Sequence, residues 1–232
     1  MITRNHGLLN VNDRPQWRVI KGGSRSYVPA LSAPFAHRIH KCTPVKTIRR
    51  DDTGVTIQTL NGEHRFDKVI IATHSDQALG MLLDPDPAES AILSAIPYSE
   101  NSVVLHTDTS LLPSKRRAWA SWNYLLDGRE HEAPVLTYNM NILQSLNAPK
   151  TLCVTMNGDD HISENTVIQR FSYAHPQFSV AAMKAQQQWQ DIDGKNNTHY
   201  CGAYWANGFH EDGVASGIRA ARSLGAKWTE AA

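Results

Sequence analysis

Residues 45–73 constrain the fold most strongly, because apolar and polar residues alternate there between recognisable turn sequences. Three alternating runs, at 45–50, 55–60 and 63–66, are separated by Asp-Asp-Thr-Gly and by Asn-Gly. This pattern predicts an antiparallel β-meander with a type I′ turn at Asn61 and Gly62. A continuous apolar run rich in β-branched residues follows at 66–73, as is typical of a strand buried on both faces.

The remaining periodic segments predict a mixed α/β (α+β) fold. A short strand at 16–20 precedes Gly22 and Gly23, and a helix through about residue 35 follows, with Ser24 or Ser26 as its cap. Helices are predicted at 75–83, 88–96, 141–146 and 181–190. Strands are predicted at 102–107, 118–125, 135–138, 151–156 and 167–173, which indicates a mostly antiparallel sheet.

The stretch at 200–225 begins with aromatic residues, breaks at Gly202 and Gly208, and then becomes a helix rich in small residues. The helical period predicts an inner face made of Val214, Ile218, Ala221 and Leu224. Gly217 lies inside this helix and costs about 1 kcal/mol relative to Ala, which predicts a close packing contact there.

The start of that helix has two interpretations. Its unpaired N–H groups and positive dipole, together with the glycine turn, make a candidate site for an anion or a carbonyl oxygen. The alternative is a buried C-terminal helix whose first turn is capped by Glu211 and Asp212.

Composition excludes several functional classes. A net charge of +1 argues against nucleic acid and an anionic membrane surface. The sequence shows neither a signal peptide nor an apolar run of about 18 residues, so we expect a cytoplasmic protein without a transmembrane segment. The three cysteines are far apart, so neither a zinc site nor a disulfide framework is supported, and Asp159-Asp160-His161 is more typical of a loop than of a metal site.

The turn Gly-Phe-His-Glu-Asp-Gly at 208–213, with Gly202 before it and Val-Ala-Ser-Gly after it, resembles the closing motif of flavin-containing amine oxidases. Within that superfamily it is most similar to bacterial NAD/FAD-binding proteins of the amine-oxidase type. The glycine doublet at 22–23 and the meander ending in Ala72 and Thr73 also match the order of elements in the family.

The resemblance implies FAD as the cofactor and a set of positions that would contact it. Main-chain atoms of Val45 would face the adenine, and Ala72 and Thr73 would lie near the phosphates and ribose. The flavin carbonyl and phosphate oxygens would be held by the main chain of the C-terminal turn, and Phe209 would lie beside the ring. The turn positions are Gly202, His210, Glu211, Asp212 and Gly213.

The resemblance also implies three segments in two domains. Residues 1–84 would belong to the FAD-binding domain, 85–194 to an antiparallel-sheet substrate domain, and 195–232 to the FAD-binding domain again. The break at Asp84-Pro-Asp-Pro is a suitable crossing point.

None of the 14 glycines forms the Gly-x-Gly-x-x-Gly fingerprint that opens such proteins. We therefore expect the chain to be the C-terminal portion of a two-domain FAD-dependent oxidoreductase, from a split gene or a truncation. It would bind FAD weakly by itself and need its dinucleotide-binding N-terminal half or a second copy. The substrate would be a small molecule, either an amine or a lipid-like C–H compound, and no catalytic acid or base is identified. The alternative is a non-catalytic remnant or subunit that does not bind FAD alone.

Overall fold

The computed structural model describes residues 20–126, 128 and 134–227, so most of the strand predicted at 16–20 lies outside the described residues. The chain forms two compact units. The first contains the described residues up to Pro97 and those from Pro176 onwards, and the second is Tyr98–His175. The assignment of residues 1–84, 85–194 and 195–232 to cofactor and substrate domains remains a prediction.

The predicted meander is present in the first unit as a three-stranded antiparallel sheet. Its strands are β1 (Val45–Asp51), β2 (Gly54–Thr59) and β3 (Gly62–Phe66). The predicted type I′ turn is wrong by one residue, because Thr59 pairs with Gly62 and the loop is Leu60 and Asn61, neither with a positive φ. The Thr59 hydroxyl accepts from the Asn61 amide at 3.1 Å and donates to the Gly62 carbonyl at 3.1 Å, so a local side-chain turn replaces the expected one.

A second, two-stranded sheet joins distant parts of the chain. Strand β4 (Val69–Ile71) pairs in parallel with β10 (Thr198–Tyr200). β4 is shorter than the predicted run at 66–73, because Phe66 completes the meander and the chain leaves the sheet after Ile71. Val69 and Ile70 are only half-buried, so the faces of this short sheet are incompletely covered by the described residues.

Six α-helices occur in the described residues, in the predicted order. They are α1 (Ser24–Ser32), α2 (Ser75–Met81), α3 (Pro87–Ser94), α4 (Met140–Leu143), α5 (Val180–Gln187) and α6 (His210–Ser223). Gly23, at φ 68°, occupies the cap position of α1, so the prediction of Ser24 or Ser26 is wrong. The Ser26 hydroxyl instead donates to the Gly23 carbonyl at 2.7 Å.

The second unit contains a five-stranded sheet in the order β6-β7-β8-β5-β9. The strands are β5 (Tyr98–His106), β6 (Trp122–Tyr124), β7 (Leu136–Asn139), β8 (Cys153–Met156) and β9 (Val167–Pro176). The pairings of β6 with β7, β7 with β8 and β8 with β5 are antiparallel, as predicted.

The registers of these pairings divide the side chains between two faces. On one face, the residues in these pairings are all buried; they are Val104, His106, Asn123, Thr137, Asn139, Cys153 and Thr155. We call the other the open face. Among the residues paired there, Val103 is buried, and the half-buried or exposed ones are Leu105, Trp122, Tyr124, Leu136, Tyr138, Val154 and Met156.

A hydrogen-bonded chain of polar side chains crosses the buried face. His106 Nε2 lies 2.7 Å from the Thr155 hydroxyl, which lies 2.8 Å from the Thr137 hydroxyl. His106 Nδ1 accepts from the Asp108 amide at 3.1 Å, so the ring is neutral with its proton on Nε2. Burial lowers the pKa of His106, although the charge of Asp108 partly opposes the shift.

We predict that acid destabilises this unit through His106. The pKa of His106 is lower in the folded state than the ordinary value of about 6.5, so below that pH the unfolded chain binds the extra proton and folding becomes less favourable. The free energy of unfolding should therefore fall as the pH decreases from about 7 towards 5, and the fall should be smaller in His106→Gln. Urea unfolding at several pH values measures the difference. His64→Gln, at an exposed position of β3, is the control; equal slopes in wild type and His106→Gln would contradict the prediction.

A buried ion pair connects three segments of the first unit. The Arg50 guanidinium on β1 contacts the Glu89 carboxylate on α3 at 2.6 and 2.8 Å, and the two side chains are 2% and 0% exposed. The Tyr200 hydroxyl on β10 donates to the same carboxylate at 2.7 Å, and Asp84 accepts from Arg50 at 3.1 Å. Burial alone would lower the pKa of Arg50, but the hydrogen bonds and charge of Glu89 raise it, so Arg50 stays charged.

We predict that Glu89→Ala lowers the free energy of unfolding by about 3–5 kcal/mol, because it removes the buried partner of Arg50 and leaves the charge with only the more exposed Asp84 carboxylate. The exposed Glu63 provides a control, since Glu63→Ala should change stability by less than about 0.5 kcal/mol. Removing both charges with Arg50→Met and Glu89→Leu should recover part of the loss. Urea unfolding of the four proteins measures these values, and similar costs for Glu89→Ala and Glu63→Ala would contradict the prediction.

Candidate flavin-binding turn

Two predicted site segments meet at one edge of the β4–β10 sheet. Because β4 and β10 are parallel, their carboxyl ends lie at the same edge, and the pairing continues with the Cys201 amide donating to the Ile71 carbonyl at 3.0 Å. Ala72 and Thr73 follow β4, and Gly202 follows β10. Ala72 and Thr73 are exposed, so this edge is accessible in the first unit.

The turn after β10 is tight and depends on glycine at two positions. A Cβ atom at Gly202 would lie 2.4 Å from the Tyr204 ring, so a side chain there would displace it. Gly208 has a φ of 88°, which disfavours other residues, and its amide donates to the Ala203 carbonyl at 3.1 Å. The turn therefore returns the chain to the end of β10, where α6 begins.

The first turn of α6 presents main-chain N–H groups. The first intrahelical bond is from the Gly213 amide to the Phe209 carbonyl, so helix geometry leaves the amides of His210, Glu211 and Asp212 without an intrahelical acceptor. The Asp212 carboxylate accepts from the amides of Phe209 at 2.9 Å and Asn207 at 3.1 Å. The predicted capping role of Asp212 is therefore present, while Glu211 is exposed.

Ser216 joins the turn to the helix, and no role was predicted for it from the sequence. Its hydroxyl accepts from the Gly202 amide at 2.9 Å and donates to the Gly213 carbonyl at 2.8 Å. Ser216 is 2% exposed, so this bridge is shielded from water. In the sequence, a small hydroxyl residue one turn after Gly213 was the pattern that could have predicted this bridge.

The predicted inner face of α6 is wrong. The helix buries Ser216 and Ala220 instead, while Val214 is 51% and Leu224 43% exposed. A Cβ atom at Gly217 would meet nothing within 4 Å among the described residues, so the tight contact expected there is absent from this part of the chain. Only small side chains allow the helix to approach the Gly202 turn, and this requirement determines which face is buried.

Arg219 anchors the other side of α6. Its guanidinium lies 3.7 Å from the centre of the Trp189 ring, in cation–π geometry. Burial lowers the pKa of Arg219, partly offset by the charge of Asp193, and Asp193 also accepts from the Tyr200 amide at 3.1 Å. The helix is thus attached to the segment that leads into β10.

The structure brings together most, but not all, of the predicted site positions. Ala72, Thr73 and Gly202 share one edge. Gly213 lies in the first turn of α6 beside Ala203, where an added Cβ atom at Gly213 would lie 3.8 Å from the Cβ of Ala203. Phe209 is the half-buried cap residue, and His210 and Glu211 are exposed in the first turn. Val45 begins β1, which belongs to the separate meander sheet.

Other candidate chemistry gains no support. Asp159–His161 forms a short 3-10 turn in which Asp159 pairs with Arg170, and within residues 20–126, 128 and 134–227 no group of three His, Cys, Asp or Glu side chains could hold a metal ion. The three cysteines are unpaired. Burial raises the pKa of the Cys153 thiol to about 11, so it remains protonated.

A sequence model of the family described as flavin-containing amine oxidoreductase matches residues 5–171, well over half of the 232 residues. This chain belongs to that family. Membership implies a flavin cofactor and confirms the family that the sequence motifs suggested. The match ends before the turn at 202–213, so a cofactor role for this turn remains a prediction from the motif.

Solved structures of flavin amine oxidases and related enzymes share this fold. A fatty acid isomerase from P. acnes that produces CLA has a TM-score of 0.63 at 16% identity, over 86% of this chain and 52% of that one. Cyclohexylamine oxidase from Brevibacterium oxydans has a TM-score of 0.59 at 15% identity, over 95% and 56%. Putrescine oxidase bound to putrescine has a TM-score of 0.54 at 11% identity, over 88% and 53%.

The chain therefore spans just over half the length of these structural relatives. A search among curated proteins finds no match in sequence. No helix in the described part of the chain is both long and apolar enough to cross a membrane.

We predict that Ser216→Ala loosens the turn, because the amide of Gly202 loses its acceptor in a buried position. The expected cost is about 1–3 kcal/mol in the free energy of unfolding, with faster amide hydrogen exchange at Gly202. Ser223→Ala is the matched control, since Ser223 lies on the same helix but is exposed. Equal exchange at Gly202 in the two variants would show that the bridge does not hold the turn.

Proposed function

We propose that this chain is the C-terminal portion of an FAD-dependent oxidoreductase of the amine-oxidase type. The complete enzyme would oxidise a small molecule, either an amine or a lipid-like C–H compound. One observation carries the proposal. Two parallel strands end side by side, and a glycine turn places the start of α6 at that same edge. This is where open parallel sheets bind nucleotide cofactors.

The residues at this edge fit a flavin. The amides of His210, Glu211 and Asp212 are donors that suit an oxygen acceptor, and the helix dipole adds to their attraction. Two carboxylates in the same turn, Glu211 and Asp212, oppose a fully charged phosphate. The turn was predicted to hold either a flavin carbonyl oxygen or a phosphate oxygen. These carboxylates favour the carbonyl oxygen of the flavin ring.

The other contacts are proposed on the same basis. Ala72 and Thr73 would lie near the phosphates and ribose, and Val45 would face the adenine through its main chain. Phe209 would lie beside the flavin ring, while Gly202 keeps the turn close to it. When bound, the flavin supplies the hydride-accepting group, and these residues hold and orient it.

The β4–β10 sheet supports the proposed need for a partner. Parallel sheets are normally covered on both faces and contain more than two strands, whereas Val69 and Ile70 are half-buried and Val214 is exposed. A dinucleotide-binding N-terminal half, or a second copy of the chain, would cover this surface. The alternative is a non-catalytic remnant or subunit, which is favoured by the absence of Gly-x-Gly-x-x-Gly from the sequence.

Absorbance spectra after incubation with excess FAD and desalting test the proposal. We expect the isolated chain to lose its flavin. A complex with a polypeptide that carries the Gly-x-Gly-x-x-Gly fingerprint and is encoded directly upstream should keep a flavin band close to one per complex. A tight one-to-one FAD complex of the isolated chain would contradict the need for a partner, and a colourless complex would favour the non-catalytic alternative.

We further predict that Ala72→Trp abolishes flavin retention in the flavin-binding form. Ala72 is exposed at the end of β4, so the indole should leave folding intact while filling the proposed cofactor position. Leu83→Trp is the control at another exposed position of the same unit. Flavin content and thermal melting of both variants decide the question; full flavin retention in Ala72→Trp would place the cofactor elsewhere.

A further inference from the structure

Charge is distributed unevenly along the chain. Residues 20–46 contain five Lys or Arg residues and no Asp or Glu, whereas residues 51–232 contain 13 Lys or Arg and 21 Asp or Glu. The overall net charge of +1, which argued against an anionic membrane surface, therefore conceals two oppositely charged parts. We call residues 20–46 the basic segment; its charged residues are Lys21, Arg25, Arg38, Lys41 and Lys46.

The basic segment also carries exposed apolar side chains. It contains α1 and a 3-10 helix (Ala33–Arg38), and none of its residues is buried in the part of the protein that the structure describes. Val28 and Leu31 are three residues apart on α1 and so lie on the same face, with Leu31 66% exposed. The other exposed large apolar residues of the segment are Ile20, Phe35, Ile39 and Val45.

The helix α1 needs a surface to cover it. It has only nine residues, contains Pro29, and its cap residue makes no side-chain hydrogen bond. Helices of this length are marginal in water, and an interior proline removes one of their hydrogen bonds. Most of the stability of such a helix comes from packing of its apolar face, and no residue of α1 is buried by the described residues.

Charge and side-chain order indicate an anionic lipid surface as the occupant. Lys and Arg beside exposed aliphatic and aromatic residues, without acidic residues, are typical of segments that lie in the headgroup region of a bilayer. Ile20, Ile39 and Val45 lie outside the helices, so the apolar residues are not confined to one helix face that a protein groove could hold. A bilayer interface accepts them in any order, while the long basic side chains reach the lipid phosphates.

We propose that the basic segment docks this protein on an anionic lipid surface. Val28, Leu31 and Phe35 enter the headgroup region, and the Lys and Arg side chains contact the lipid phosphates. Each Lys or Arg near an anionic surface strengthens partitioning by about fivefold. The docking needs no flavin, so it stands or falls separately from the function proposed above.

Co-sedimentation with lipid vesicles tests the proposal on the 232-residue chain. We expect binding to vesicles of phosphatidylcholine mixed with phosphatidylglycerol, and little binding to phosphatidylcholine alone. Raising the salt from about 0.1 M to about 1 M should release the protein, because the Debye length falls from about 10 Å to about 3 Å. Equal sedimentation with the two kinds of vesicle would overturn the proposal.

Charge reversal in the segment should weaken binding without unfolding the protein, because no residue there is buried. Arg25→Glu combined with Lys41→Glu should reduce the partition coefficient by about 25-fold or more. The matched control is Lys68→Glu combined with Arg117→Glu, which makes the same charge change at exposed positions elsewhere and should have a much smaller effect. Equal binding by the two double variants would contradict the proposed docking.

An apolar variant tests the other half of the contact. Leu31→Asp should reduce partitioning by about tenfold, because the leucine no longer enters the interface. Leu60→Asp, at a position that is 64% exposed on the meander, should leave it nearly unchanged. Circular dichroism establishes that both variants are folded, and unchanged binding in folded Leu31→Asp would exclude insertion of this face.

Two results would identify a different occupant of the segment. A dimer of the free chain that dissociates when Arg25 and Lys41 are both replaced by Glu would show that a second copy covers it. Loss of vesicle binding in the flavin-binding form would show that a partner polypeptide covers it. Either result would overturn the proposal.

Discussion

The first unit depends on one buried carboxylate. Glu89 is fully buried, and it accepts from Arg50 on β1, from the Tyr200 hydroxyl on β10 and from the main chain at Asp86, where its own helix begins. An isolated charge in this position would cost several kcal/mol, so the partners must all be in place at once. Because Tyr200 is the last residue of β10, the same carboxylate fixes where the Gly202 turn starts. The candidate cofactor edge therefore depends on a residue that does not touch it.

Local patterns predicted the elements but not their pairing. The alternation of apolar and polar residues predicted the meander, and the apolar run predicted β4, because each of these patterns is contained in a few consecutive residues. The parallel pairing of Ile71 with Tyr200 joins residues far apart in sequence and leaves no local pattern. The same limit applies to Ser216, whose hydrogen bond to Gly202 could be recognised only after the turn had brought the two together. On α6 the helical period was correct, but close packing selected the small residues and left Val214 outside.

The buried face of the five-stranded sheet carries polar residues beside apolar ones. Its buried face carries His106, Thr137 and Thr155, which hydrogen-bond to one another, so their burial is tolerated. Its open face carries aromatic and aliphatic residues that remain half-exposed. Sequence alternation identifies the two sets of residues, but the rule that apolar residues point inwards would assign them to the wrong sides.

Two apolar surfaces are thus left open, one in each unit, and their main-chain chemistry differs. On the first surface, strands β4 and β10 pair only with one another among the described residues. The start of α6 adds main-chain amides without an intrahelical acceptor. Molecules that bind this surface must therefore supply hydrogen-bonding groups as well as apolar contact. On the second, β7 and β8 are interior strands whose main-chain groups are paired on both sides. Only side chains are available for contacts on these two strands. Molecules that supply hydrogen-bonding groups therefore suit the first surface, whereas the second offers contacts with side chains.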